Sequence, residues 1–187
     1  NGELATSNML YLTTGAYYKK MSWAKATKIL LYCTFFNLVG AVILAYLFNQ
    51  SFSFLNLKDD SFVVTAATIK LGKSDWGNFI EGITANMFVN MAIMGYMLLK
   101  EESAKIFVAI SAIFMFVFLI NEHLVANFAA FMLLAFNHAK ENVETFTLMN
   151  ILRQWTVVFF ANWLGGGLFI GIAYAWLNQT KTKHVEG

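Results

Sequence analysis

Four apolar stretches decide what this chain can become. A helix that crosses about 30 Å of hydrocarbon needs roughly 20 mostly apolar residues. Ile29–Phe48 satisfies this with only Thr34 and Asn37 as polar interruptions, and Trp155–Leu177 with only Thr156 and Asn162. Phe79–Leu99 carries Glu81, Thr84, Asn86 and Asn90. Ile106–Phe136 runs on for 31 residues and is interrupted near its middle by Asn121-Glu122-His123. Leu4–Tyr18 makes a partial span. The chain therefore reads as an all-α membrane protein, one transmembrane domain over residues 1–187. It is predicted to have a partial span at 3–18 and spans at about 26–49, 77–99, 104–137 (broken at 121–123) and 152–178.

Composition removes the competing classes. Hydrophobic residues make up 58% of the chain and charged residues 13%, against roughly 45–50% and 25% in soluble domains. A net charge of +2, scattered along the chain, is too small for a nucleic-acid partner. One cysteine, Cys33, excludes an internal disulfide framework and a cysteine-rich metal site. His123, His138 and His184 do not have metal-ligand spacing, so no metal and no cofactor are expected. A glycine-rich phosphate loop, a G-x-S-x-G elbow and an H-E-x-x-H helix are all missing, and no catalytic residues are assigned.

The basic residues orient the spans. Lys19, Lys20, Lys25 and Lys28 crowd the first connection, Lys100 and Lys105 flank the third, and Lys181 and Lys183 lie in the tail. By the excess of lysine on cytoplasmic loops, these regions and the C-terminus are expected on the cytoplasmic side of the cell membrane.

The longest stretch cannot be a single upright helix. At 1.5 Å per residue it would measure about 47 Å, so it must tilt strongly or break. Proline is absent from the whole chain, which leaves Asn121-Glu122-His123 as the expected place of the break. Polar backbone at mid-depth is tolerated only beside protein or a cavity. His123 there would offer a hydrogen bond and a proton to a small anion; the alternative is a buried histidine satisfied by a neighbouring helix. Glu122 reads as structural, accepting hydrogen bonds from backbone donors freed by the break.

Two places in the chain look alike. Glu3 and Asn8 are five residues apart, as are Glu122 and Asn127, and an apolar half-helix follows each pair. Asn37-Leu38-Val39-Gly40 then matches Asn162-Trp163-Leu164-Gly165. Three crossings separate the copies, which gives them opposite orientation, the pattern of inverted-repeat channels and transporters. Coincidence of two short motifs is the alternative. If the repeat holds, the second copy has a span and a half before its Glu and the first has nothing, so a span and a half is expected to be missing before Glu3. The in-span asparagines Asn86 and Asn162 are candidates for lining a path; their alternative is interhelical glue. Lys70 is either a snorkelling interfacial lysine or an electropositive mouth that gathers anions.

These residues resemble the formate/nitrite transporter family. Gly2-Glu3-Leu4-Ala5-Thr6-Ser7 is similar to its G-x-E-L-F-T-G/S motif, with Ala5 where Phe or Ile is usual. Gly82–Ala92 is similar to G-I-x-C/A-N-x-x-V-C-L-A, with Asn90 in place of the customary Cys. Glu122–Phe128 and Asn162–Gly167 resemble the E/N-H-x-V-A-N-M and N-x-x-G-G-G segments.

The resemblance implies a homopentamer of six-span protomers with an aquaporin-like arrangement, each with its own pore for small monovalent anions. It makes His123 the central pore histidine and Lys70, sixteen residues before Asn86, the vestibule lysine. Asn86 and Asn162 become pore asparagines, and Phe116 and Val89 constriction residues. The family's other broken span, with its Ω-shaped loop, would precede Glu3. Arg153-Gln154-Trp155 departs from the family, which often has a proline nearby.

The expected function is an anion channel or proton-linked transporter for formate, nitrite or hydrosulfide, and not an enzyme. Its expected partners are those anions, protons and the lipid bilayer. The alternatives are a non-transport membrane subunit of a redox complex and a structural membrane scaffold.

Overall fold

The computed structural model describes residues 3–55 and 57–179; Gly2 of the first motif, and Lys181, Lys183 and His184 of the tail, lie outside the described residues. Helices dominate, and no strand occurs among the described residues. In chain order they are Ala5–Tyr17 (α1), Trp23–Phe48 (α2), the single turn Phe52–Leu55 (α3), Phe62–Gly72 (α4), Asp75–Leu98 (α5), Glu102–Phe118 (α6) and Leu124–Ala135 (α7). A 3₁₀ turn at His138–Asn142 follows. Then Leu148–Asn162 (α8), a π-helical stretch at Trp163–Ile172 and Ala173–Gln179 (α9) run on as one 32-residue rod. Trp23–Phe48 and this rod are long and apolar enough to cross a membrane.

Local chemistry starts these helices. Ser22 accepts a hydrogen bond from Lys25 N, Ser74 from Gly77 N, and Thr147 from Asn150 N. Each satisfies one backbone donor that a helix start leaves open. The apolar faces then sort themselves. α2 buries only Ala26, Leu30, Ala41 and Ala45 and presents Leu31, Tyr32, Phe35, Phe36 and Leu47 outward. α6 buries only Ala112 and Phe116. Outer surfaces so apolar suit lipid or a protein neighbour rather than water.

α5 is central. It packs against α6, α8 and the π-helical stretch, while α1 packs against α2 and that same stretch, α2 against α7, and α4 against α7. Glycines bring α5 and the rod together. A Cβ on Gly82 would lie 2.6 Å from Ala161 Cβ, and one on Gly165 only 2.1 Å from Ile83 O. A Cβ on Gly166 would lie 2.4 and 2.3 Å from the side-chain amides of Asn86 and Asn90.

Lys70 lies near the end of α4, a helix of 11 residues, too short to span a bilayer. Val64, Ala67 and Leu71 on α4 close a small core with Phe131 and Leu134 of α7 and Ile151 of α8. That core pins α4 beside the break and so places its lysine.

The break itself is a helix C-cap. α6 ends at Phe118; Ile120 N donates to Val117 O and Asn121 N to Phe116 O, both at 3.0 Å, and Ile120 has φ 51°. This is a Schellman arrangement, whose left-handed position is usually Gly. The same device closes α1, where Lys19 has φ 57°, Lys19 N donates to Ala16 O and Lys20 N to Gly15 O. A β-branched residue in this region costs of order 1–3 kcal/mol. The reversal therefore lies at Ile120, one residue before the polar trio named from sequence. Asn121-Glu122-His123 supplies the extended link that follows and the cap of α7.

Candidate functional site

Glu122 is fully buried and is the hub of the break. Its Oε2 accepts from Lys70 Nζ at 3.2 Å, Asn127 Nδ2 at 2.7 Å and Gln154 Nε2 at 2.7 Å. Its Oε1 accepts from Lys73 Nζ at 2.8 Å. Four donors from α4, α7, α8 and the connection between α4 and α5 offset the desolvation that makes a lone buried carboxylate untenable. The expectation was that Glu122 would take up freed backbone donors. Side chains take that place instead, and the backbone donors of α7 go elsewhere: Leu124 N to Asn162 Oδ1 at 2.9 Å and Ala126 N to His123 Nδ1 at 3.3 Å.

The freed carbonyls are met by the two lysines. Lys70 Nζ donates to Asn121 O at 3.2 Å and Lys73 Nζ to Ile120 O at 3.0 Å. Cations at the carbonyl end of α6 also complement its dipole. Lys73 is in addition paired with Glu81.

His123 caps α7. Because Nδ1 accepts a backbone hydrogen, a neutral ring carries its proton on Nε2. Nε2 is buried and has no hydrogen-bond partner among the described residues. The Phe116 ring lies 5.3 Å from the imidazole, and Phe116 forms a buried cluster with Ala85 and Val89. The structure thus gathers His123, Phe116 and Val89 in one neighbourhood. Beyond Val89 an apolar groove of about 370 Å³ continues between α1, α5 and α6, lined in part by Leu4, Tyr11, Ile93 and Ile113.

Asn162 and Asn86 hold the helices to each other. Asn162 Nδ2 donates to Gly82 O at 2.7 Å and Glu122 O at 2.9 Å. Asn86 Nδ2 donates to Asn162 O at 2.7 Å and Thr6 O at 3.1 Å. Asn90 donates back to Asn86 O at 2.8 Å and Oδ1 at 3.0 Å. The same bonds recur at the start of the chain. Asn8 Nδ2 donates to Glu3 Oε2 at 2.7 Å, as Asn127 does to Glu122. Ala5 N donates to Asn37 Oδ1 at 2.8 Å, and Asn37 Nδ2 to Glu3 O at 2.9 Å.

Three residues of this site were not singled out from sequence: Gln154, Lys73 and Glu81. Gln154 had a signal, since it lies eight residues before Asn162 and shares its helical face. Lys73 and Glu81 had none beyond their charge, because their meeting depends on how α4 docks. Among the described residues, no three His, Cys, Asp or Glu side chains come together as a metal site would need.

The family model described as "Formate/nitrite transporter" matches residues 1–176. The chain is 32% identical over 183 residues to the nitrite transporter NirC of Escherichia coli, covering 97% of this chain and 66% of that protein. It is 29% identical over 185 residues to the formate channel BtFdhC of Bacillus thuringiensis, covering 99% and 69%. A solved structure described as an FNT family ion channel superimposes with a TM-score of 0.86 at 29% identity, covering 94% of this chain and 69% of that one. The chain spans about two thirds of the length of these proteins. A family match over nearly the whole chain, joined to a shared fold, shows that this is a membrane protein of the formate/nitrite transporter family.

Proposed function

We propose that the protein carries small monovalent anions across the cell membrane, and that His123 is the group the anion meets at mid-depth. The observation that carries this reading is His123 Nε2, a buried donor without a partner among the described residues, beside the Phe116 ring. Leaving a buried donor of this kind unmet costs about 1–3 kcal/mol, which favours a ligand that accepts from it. A small oxyanion or carboxylate suits a single N–H donor in an apolar setting.

The roles divide by place. Phe116 and Val89 make the apolar wall that disfavours a bare charge, since desolvating an ion costs several kcal/mol even after relaxation. A proton from or near His123 lets the species cross as a neutral weak acid. Lys70 keeps positive potential on the approach, and Asn86 and Asn162 hold the wall in register. Glu122, Asn127 and Glu3 are structural. NirC and BtFdhC make nitrite and formate the first anions to test, with hydrosulfide next.

The two matching sets of bonds at Glu3 and Glu122 support an inverted repeat within an aquaporin-like six-span arrangement. The apolar outer faces of α2 and α6 leave room for lipid and for neighbouring protomers, and we assign a homopentamer. We assign the C-terminus to the cytoplasmic side, on the lysine excess in the sequence of that tail and of the first and third connections.

Reconstitution of the full-length protein into liposomes tests the reading. Formate and nitrite flux is expected, and His123→Ala should change both its rate and its pH dependence. Identical flux and pH profile in His123→Ala would remove the histidine from the mechanism.

A further inference from the structure

The transport roles assigned above use neither Lys73 nor Glu81, although Lys73 also caps the break. Their side chains continue the Glu122 cluster towards its open side. Side-chain exposure rises from 0% at Glu122 and 9% at Lys70 to 18% at Lys73 and 33% at Glu81. Lys73 is therefore the more accessible of the two ammonium groups.

An ammonium has three N–H donors, and those of Lys73 face three acceptors: Ile120 O, Glu122 Oε1 and the Glu81 carboxylate. The first two are fixed on the break, one a backbone carbonyl and the other a carboxylate that is fully buried. Glu81 is a partly exposed side chain on a separate helix, so it is the acceptor most easily exchanged for another. What it presents to Lys73 is a carboxylate, the group that formate consists of and that nitrite approximates.

Charge points the same way. Two lysines face two glutamates, so the cluster is neutral while Glu81 is engaged. With Glu81 turned to water, Lys70 and Lys73 against Glu122 leave one net positive charge. A single monovalent anion neutralises it.

We propose that Lys73 is an anion-capture site at the mouth, and that Glu81 is its resident competitor. The incoming carboxylate or oxyanion takes the place of the Glu81 carboxylate on Lys73 Nζ before it reaches Lys70. This inference rests on the transport reading above.

Formate flux through the full-length protein in liposomes, measured across a concentration series, tests it. Glu81→Gln removes the competing charge at constant size. It should lower the half-saturating formate concentration about fivefold, the scale of a partly exposed ion pair, with the maximal rate unchanged. Glu81→Thr should act likewise and covers poor folding of the first variant. Lys73→Met should raise the half-saturating concentration, and in that background Glu81→Gln should no longer lower it.

An unchanged half-saturating concentration in Glu81→Gln overturns the proposal. So does an equal shift with Lys73 absent, because the effect would then be general charge rather than competition on one ammonium. A wild-type protein that carries neither formate nor nitrite overturns the transport reading itself, and this inference with it.

Discussion

Asn162 Nδ2 donates to the Glu122 carbonyl at 2.9 Å, so α8 carries the side chain that closes the break between α6 and α7. The same amide accepts from Leu124 N and donates to Gly82 O. Asn162→Leu keeps the volume and leaves Leu124 N and the Glu122 carbonyl, both buried, without a partner, while Gly82 O keeps its bond inside α5. Each such group costs about 1–3 kcal/mol. The variant should melt far below wild type in detergent and lose flux. Asn37→Leu strands the two matching groups, Ala5 N and Glu3 O, at a partly exposed site, where water replaces the lost bonds, and should cost less. Equal losses in the two variants would mean that burial adds nothing at Asn162.

Removing the hub should be worse than removing any one of its donors. Glu122→Gln leaves Lys70 and Lys73 facing an amide. Breaking one side of a buried ion pair typically costs about 3–5 kcal/mol. Thermal melting of Glu122→Gln, Lys70→Met and the double variant forms a cycle. The double variant should lose less than the sum of the singles, with a coupling of about 0.5–3 kcal/mol. Strict additivity would mean that the pair does not interact energetically.

Ile120 offers a case where glycine should beat alanine. Both Ile120→Gly and Ile120→Ala remove the same apolar side chain beyond Cβ. Only glycine escapes the roughly 1–2 kcal/mol that an L-residue loses in the left-handed region. Melting temperatures should therefore rank Gly above Ala, the reverse of the order inside a helix. Alanine ranking higher would mean that the left-handed turn is not populated.

Gly165 and Gly40 occupy matching places after Asn162 and Asn37, yet their surroundings differ. A Cβ at 165 meets the Ile83 backbone oxygen at 2.1 Å, while one at 40 meets nothing within 4 Å. Gly165→Ala should force α5 and the rod apart and abolish folded yield. Gly40→Ala should be neutral or stabilising by about 0.5–1 kcal/mol. Size-exclusion profiles in detergent distinguish the two.

Much of the site was legible because polar residues inside apolar helices are few and each needs a reason. Glu122, His123, Asn86, Asn127 and Asn162 stand out on that ground alone. Glu3–Asn8 and Glu122–Asn127 showed their shared spacing before any bond between them was seen. Lys73 stayed hidden because a lysine in a connection reads as solvated. Glu81 stayed hidden because, at the edge of an apolar stretch, it reads as interfacial. Gln154 was noted only as a departure from the family pattern, although its spacing from Asn162 placed it on the same face.

Chain chemistry by itself determined the membrane class, the helical content and the need for a break in Ile106–Phe136. Hydropathy, span length and helix rise are local properties that a sequence carries in full. Tertiary structure decided how the break is made and what satisfies it. The reversal falls on Ile120, which has no propensity for a left-handed turn and adopts it because α6 and α7 are each held by other helices. The partners of Glu122 come from three helices and a connection spread over more than eighty residues. Which donor reaches a buried carboxylate depends on how those elements dock, and docking is set by packing of apolar faces and glycine contacts that no single stretch of sequence contains.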